Sequence, residues 1–333
     1  MTYRATRLIV VGADMKELTL IEEAIRRFRF SEKPKSLYDP IHYIMALGGK
    51  RLRPVLTLQA YRLYRDDAET IVRYAAAVEA FHNFTLIHDD IMDQAPLRRG
   101  KPTVHRKWNV NTAILSGDVM LVKVYDQFLD LEPARLREVL ALFNTCAAGV
   151  CEGQQWDMEF EGMDRVSESQ YMEMIRLKTA VLLGFSLELG AVLAGAPPED
   201  RERLRAFGIN LGIAFQLKDD LLDVYADEKK FGKQQGGDIV SNKKTFLLIH
   251  ARRLDRGKMA LELKRWLKAT RFDKRKKITA VTAIYDALGI REKTEQKIRE
   301  YLDRAYAALD GLTVRGRTES LRALVESLAG RQR

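Results

Sequence analysis

All eight prolines of this chain lie at or before Pro198, so residues 199–333 contain none of the residue that most reliably breaks a helix. Strand signals are equally scarce, with no Asn-Gly hairpin turn between alternating segments. Apolar positions recur instead at helical spacing. Ile278, Val281, Ile284, Tyr285 and Leu288 form one stripe, and Ile298, Tyr301, Leu302 and Tyr306 another. Breaks are expected at Ser31–Pro40, Ala95–Pro102, Gly195–Asp200, Asp227–Asp238 and around Gly311–Gly316. No linker or fixed-period repeat divides the sequence. The expectation is a single all-α domain over residues 13–333, with roughly ten or more helices and residues 1–12 unassigned.

With 333 residues, 46% of them hydrophobic, the chain can bury a large core. Its net charge of +10 points to anionic partners. Nucleic acid, acidic lipid and phosphorylated small molecules all have the right sign. Cys146 and Cys151 have neither redox-motif nor zinc spacing and read as two buried thiols in a cytoplasmic protein. The apolar run Leu8–Val11 is too short for a signal-peptide core. Glu188 interrupts the run from Ala180 to Ala196 and Lys178 abuts it, so it reads as a buried helix and no membrane span is expected.

Two segments carry Asp-Asp-x-x-Asp in an apolar, helix-forming context: Asp89-Asp90-Ile-Met-Asp93 and Asp219-Asp220-Leu-Leu-Asp223. On a helix the first and last aspartates of each set share a face, about 6 Å apart along the axis. Like charges one turn apart repel, so the pattern favours divalent cations that neutralise it. Mg²⁺ binds few protein carboxylates and completes its shell with water and phosphate oxygens. A solvated acidic face is the bland alternative. It fits poorly with Phe81, Phe84, Leu86, Ile87 and Ile91 around one cluster and Ile213, Phe215, Leu217, Leu221 and Leu222 around the other.

Cations accompany both segments. Gly48-Gly49-Lys50-Arg51-Leu-Arg53-Pro54 ends one helix, gathers three of them and opens the next helix at Pro54. Arg98-Arg99 lies in the loop after the first cluster, Lys178-Thr179 opens the long apolar helix, and Gly232-Lys233 and Lys243-Lys244 follow the second cluster. Arginine forks and lysine point charges both suit phosphate. His82 lies two turns before Asp89 on the same face, and Gln216 shares a stripe with the second cluster. His88 and His105 have weaker claims, and His250 reads as structural.

In combination these motifs resemble the trans-isoprenyl diphosphate synthases, also called polyprenyl synthetases, from roughly Tyr38 to Ala251. The segments that carry the likeness are Gly-Gly-Lys-Arg-Leu-Arg-Pro, His-Asp-Asp-Ile-Met-Asp, Arg-Arg-Gly-Lys-Pro-Thr-x-His, Lys-Thr-Ala and Phe-Gln-x-x-Asp-Asp-Leu-Leu-Asp. The resemblance implies an all-α isoprenoid synthase bundle, a homodimer, both aspartate clusters facing a central cavity, and three Mg²⁺ ions per active site. It implies that Lys50, Arg53, His82 and Arg99 bind isopentenyl diphosphate. Arg98, Lys178, Thr179, Gln216 and Lys233 would hold the allylic diphosphate. Asp89, Asp93 and Asp219 would be the principal metal ligands, supported by Asp90 and Asp223, and Lys243 would match the family's final lysine. The chain departs from the pattern at Asn242, where glycine is usual, and at Phe246-Leu247, where Tyr-Pro is common.

No side chain is an evident general base, and in the family the departing diphosphate is thought to take that role. A terpene cyclase generally lacks the Gly-Gly-Lys-Arg segment and the second acidic cluster, and a non-catalytic partner subunit would carry a degraded cluster. A nucleic-acid-binding protein would need interleaved aromatics. Phe84 and Phe81, one and two turns before Asp89, could floor the cavity for a growing chain. With no insertion in the first motif, a twenty-carbon product is expected, and a fifteen-carbon one is the runner-up.

Overall fold

The computed structural model describes residues 15–28, 30–226, 236–253, 256–314 and 316–330. Residues 1–12 and Lys233 lie outside them. The described chain divides into two compact units. One is Met1–Thr145 with Phe185–Arg205 and Gly311–Leu324, and the other is Cys146–Gly184 with Ala206–Asp310 and Val325–Arg333.

The first unit is organised around helix α4 (Val72–Met92), on which α1 (Met15–Arg27), α2 (Lys35–Ala46), α3 (Leu52–Arg62), α5 (Val104–Lys107) and α6 (Val110–Asp126) all pack. Every residue from Tyr74 to Phe81 is buried, because a helix without a polar stripe must be covered by neighbours. Beside it Phe143 meets Phe81, Phe128 and Phe185 at ring-centroid distances of 5.0, 5.8 and 5.7 Å. Each such buried ring contributes about 1.5–3 kcal/mol.

Arg51 is not part of the basic cluster that the sequence suggested. It takes a left-handed conformation (φ 51°) at the start of α3 and turns inward, bonding Glu22 and Glu79 at 2.8 Å each. Removing one partner of such a buried pair costs about 3–5 kcal/mol. Strands are not wholly absent either. β1 (Leu97–Arg98) and β2 (Lys101–Pro102) pair antiparallel in the Arg98-Arg99 loop, tied to α2 by Tyr43 Oη donating to Pro102 O at 2.8 Å.

Two of the expected breaks are shorter than the ranges given for them, because helices start inside those ranges. Helix α2 runs through Pro40, where Pro40, Ile41, Ile44 and Met45 are buried together and packing outweighs the lost backbone bond. Helix α10 (Pro198–Tyr225) starts at Pro198, with Glu199 and Asp200 favourably in its first turn. On α7 (Pro133–Gly162) Cys146 is buried but Cys151 is exposed, because five residues turn a helix to positions about 140° apart.

The second unit contains α8 (Glu168–Ile175), opened by a Ser167–Gln170 capping box. A π-helical turn (Arg176–Ala180) joins it to α9 (Val181–Ala194). Leu182–Val192 is continuously buried, as the sequence suggested. The run Glu168–Ala194 is long and apolar enough to cross a membrane, yet 72% of its apolar window is buried within the fold. Short helices α11 (Gly237–Ser241) and α12 (Phe246–Ala251) follow, then α13 (Lys258–Lys268), α14 (Lys274–Ala287), α15 (Ile290–Asp310) and α16 (Glu319–Gly330). Buried Lys277 of α14 donates to Val240 O at 3.1 Å and Asn242 Oδ1 at 2.7 Å, fixing the segment that presents Lys243.

Candidate active site

In the first unit the acidic motif occupies the last turn of α4, and Asp93 is its C-cap residue, with its N–H on Asp89 O at 2.9 Å. Three carboxylates at a helix C-terminus oppose the helix dipole, so they need cations. Arg98 of β1 supplies one. Its Nε and Nη2 each reach Asp90 at 2.7 Å, and Nη2 lies 3.4 Å from Asp89. Burial raises the Asp90 pKa in spite of that fork. Asp90 is therefore engaged by the protein itself, whereas Asp89 is half-buried and Asp93 exposed.

Arg99 has φ 52° and donates to Gly48 O. Gly49 takes φ 146°, a conformation that favours glycine, and a Cβ there would lie 2.8 Å from the Arg99 guanidinium and push it aside. Lys50 is exposed in the same turn and Arg53 is half-buried in the first turn of α3. His82 lies in the field of Arg53, Arg99, Arg98 and Arg51. Desolvation first, and those charges second, hold its pKa well below the ordinary imidazole range, leaving it neutral. The structure thus brings Arg53, His82, Arg98 and Arg99 together. His88 instead faces α6, 3.2 Å from Ile114 O.

In the second unit Lys178 and Thr179 do not open a regular helix. They sit in the π turn, a distortion common at functional sites. Lys178 Nζ reaches Asp157 of α7 at 2.6 Å, and Lys243 Nζ lies 3.9 Å from the same carboxylate. Burial would raise Asp157, but Lys243 and Lys178 outweigh it and hold the carboxyl below its usual range. One turn before Asp157, a Cβ on Gly153 would stand 2.2 Å from the Lys178 backbone nitrogen, so glycine alone allows this approach. Lys244 turns away to Glu161 O at 2.8 Å.

Along α10, Thr179 Oγ1 donates to Gln216 Oε1 (3.2 Å), and Gln216 Nε2 to Asp220 Oδ1 (2.9 Å). Tyr171 Oη donates to the other Asp220 oxygen at 2.5 Å. Asp220 is buried and Asp219 exposed. Asp223 Oδ2 accepts the Asp238 N–H at 3.0 Å, which brings a further carboxylate to the cluster. Desolvation and the neighbouring carboxylates push Asp220 up to about 6 and Asp238 up to about 7. This cluster thus gathers more carboxylates than Lys178 and Lys243 offset.

Each acidic cluster, taken within its own unit, therefore offers several oxygen donors, which suits a hard divalent cation. Among the described residues no three carboxylate, imidazole or thiol groups are gathered closely enough to hold an ion by themselves. Sequence reasoning missed Asp157, Asp238 and Tyr171. Only Asp157 left a trace, an aspartate one turn after a glycine within a long helix.

The polyprenyl synthetase family matches residues 34–285, a wider span than the motifs alone. A short chain isoprenyl diphosphate synthase from Methanocaldococcus jannaschii is 42% identical over 254 residues, covering 75% of this chain and 77% of that protein. A geranylgeranyl diphosphate synthase from Methanosarcina mazei is 40% identical over 233 residues, covering 69% and 72%. The crystal structure of a geranylgeranyl pyrophosphate synthetase from Pyrococcus horikoshii superposes with a TM-score of 0.87 at 34% identity, covering 95% and 97%. A match over most of the length, carrying both acidic motifs and their basic companions, makes the chain a member of the polyprenyl synthetase family.

Proposed function

We propose that the protein is a Mg²⁺-dependent prenyltransferase that joins isopentenyl diphosphate head-to-tail to allylic diphosphates and releases a twenty-carbon product. The observation that carries this reading is the division of labour within each acidic motif. One aspartate is engaged by the protein's own donors, Asp90 by Arg98 and Asp220 by Tyr171 and Gln216. Asp93 and Asp219 are exposed and Asp89 is half-buried beside Arg98. Those three would hold three Mg²⁺ ions, whose charge would stabilise the departing diphosphate.

Arg53, neutral His82, Arg99 and exposed Lys50 are assigned to isopentenyl diphosphate. Lys178, Thr179, Gln216, Lys243, Arg98 and Lys233 are assigned to the allylic diphosphate. In this scheme Arg98 is a counter-ion that yields Asp89 and moves onto phosphate as substrate arrives. Asp157 holds Lys178 extended and charged until then. Phe84 stacks edge-on against His88 (4.8 Å) and leans on Phe81 (5.6 Å), so the floor beneath the first motif is a backed aromatic wall. A homodimer is supported by α6, which leaves Leu115 and Val122 exposed two turns apart, with Leu129 a further two turns along the chain.

Radiolabelled isopentenyl diphosphate supplied with each primer in turn tests the reading. A twenty-carbon end product is expected. A fifteen-carbon end product establishes the runner-up, and no elongation of any primer refutes the assignment.

A further inference from the structure

The second unit carries a surface that the reaction does not use. Between Arg256 and Lys276 nine lysine and arginine side chains are exposed, against two acids, Glu262 and Asp273. None of the nine forms an ion pair among the described residues. Asp273 is already committed as the N-cap of α14, accepting the Lys276 N–H at 3.1 Å. Lys274, Arg275 and Lys276 crowd the first turn of α14, the positive end of a helix dipole, where cations are disfavoured. Two acids do not balance nine cations, so this face keeps a surplus of positive charge for an external partner.

Helix α13 identifies the partner's chemistry. Leu263 is buried and Ala260, Trp266 and Leu267 are half-buried along the inner face. The outer face carries Lys258, Arg265 and Lys268 at helical spacing around Leu261, which is 70% exposed. A leucine ringed by cations matches a surface that is anionic outside and apolar within, the pattern of an interfacial helix. Nucleic acid would call for exposed aromatic rings to stack on bases. The two rings here, Trp266 and Phe272, are half-buried and capped by Arg265 and Lys277.

We propose that the α13–α14 face docks the protein on anionic phospholipid bilayers, with lysine and arginine on the headgroups and Leu261 inserted between them. Vesicle co-sedimentation of the full chain tests this. Binding is expected to vesicles with about 30% anionic lipid and not to neutral ones, and to weaken steeply between about 0.1 and 0.5 M salt. Each cation near the surface contributes roughly five-fold, so the triple variant Lys264→Gln, Arg265→Gln, Lys268→Gln should lose roughly a hundred-fold. Leu261→Ser should lose about five- to ten-fold with an unchanged salt dependence. All four side chains are exposed, so circular dichroism should show unaltered folding, and should the triple variant misfold, Leu261→Ser and the salt series decide alone. Absence of binding to anionic vesicles, equal binding to neutral ones, or duplex nucleic acid displacing the vesicles from this face overturns the proposal.

Discussion

The two acidic motifs have the same residues at the same spacing, yet their surroundings solve the charge problem in opposite ways. At the end of α4 a bidentate arginine neutralises the cluster from within, Arg98 gripping Asp90 with two 2.7 Å bonds and touching Asp89. On α10 the available lysines are drawn to a different acid, Asp157, and the cluster itself keeps an excess of negative charge shared among Asp219, Asp220, Asp223 and Asp238. One cluster is held by a counter-ion, and in the other burial and neighbouring carboxylates raise the pKa of Asp220 and Asp238. The same motif can therefore respond differently to pH and to metal, depending on who else reaches it.

The comparison breaks most severely if either motif is dispensable. Asp89→Asn and Asp219→Asn should each lower turnover by about a hundred-fold or more with the fold unchanged by circular dichroism. Near-normal turnover at saturating Mg²⁺ in one variant would remove that cluster from the metal site.

Next comes the split between substrates. Arg53→Ala and His82→Ala should raise the KM for isopentenyl diphosphate, and Lys178→Ala and Lys233→Ala that for the allylic substrate. Each lost charged hydrogen bond should cost about 1.5–3 kcal/mol, roughly ten- to a hundred-fold. Equal effects of all four on both substrates would end the division.

The protonation contrast is sharpened by stability. Asp220 and Asp238 have raised folded pKa values, so their charged forms destabilise the metal-free protein above the unfolded carboxylate range. Without metal, the melting temperature should rise as pH falls from 8 to about 5.5, and Mg²⁺ should stabilise more at pH 8 than at pH 6. Asp238→Asn should flatten that dependence, whereas Asp90→Asn, whose partner is Arg98, should leave it in place. An Asp238→Asn profile identical to wild type would refute this account.

The smallest effect on rate belongs to Phe84→Ala. It touches no phosphate group and should shift products to longer chains at similar total incorporation. An unchanged product spectrum would return Phe84 to the role of core packing.

Helical class, the two acidic motifs and most of their basic companions were legible in the sequence, because they rest on interactions between residues close along the chain. Period-3.6 stripes, missing prolines and i, i+4 carboxylates are local facts, and the helices on which they were placed are the helices observed. What each charge does was decided by tertiary structure. Arg51 and Arg53 are two residues apart and look equivalent, but a left-handed backbone turns Arg51 into the core against Glu79. Asp238 and Tyr171 join the second cluster from elements distant in sequence, and Asp157 reaches Lys178 through the close approach of α7 that Gly153 permits. The sequence determined which charges this protein carries. Only packing decided which are neutralised within the protein and which are left for a ligand, because an ion pair forms between side chains that fold side by side, wherever they lie along the chain.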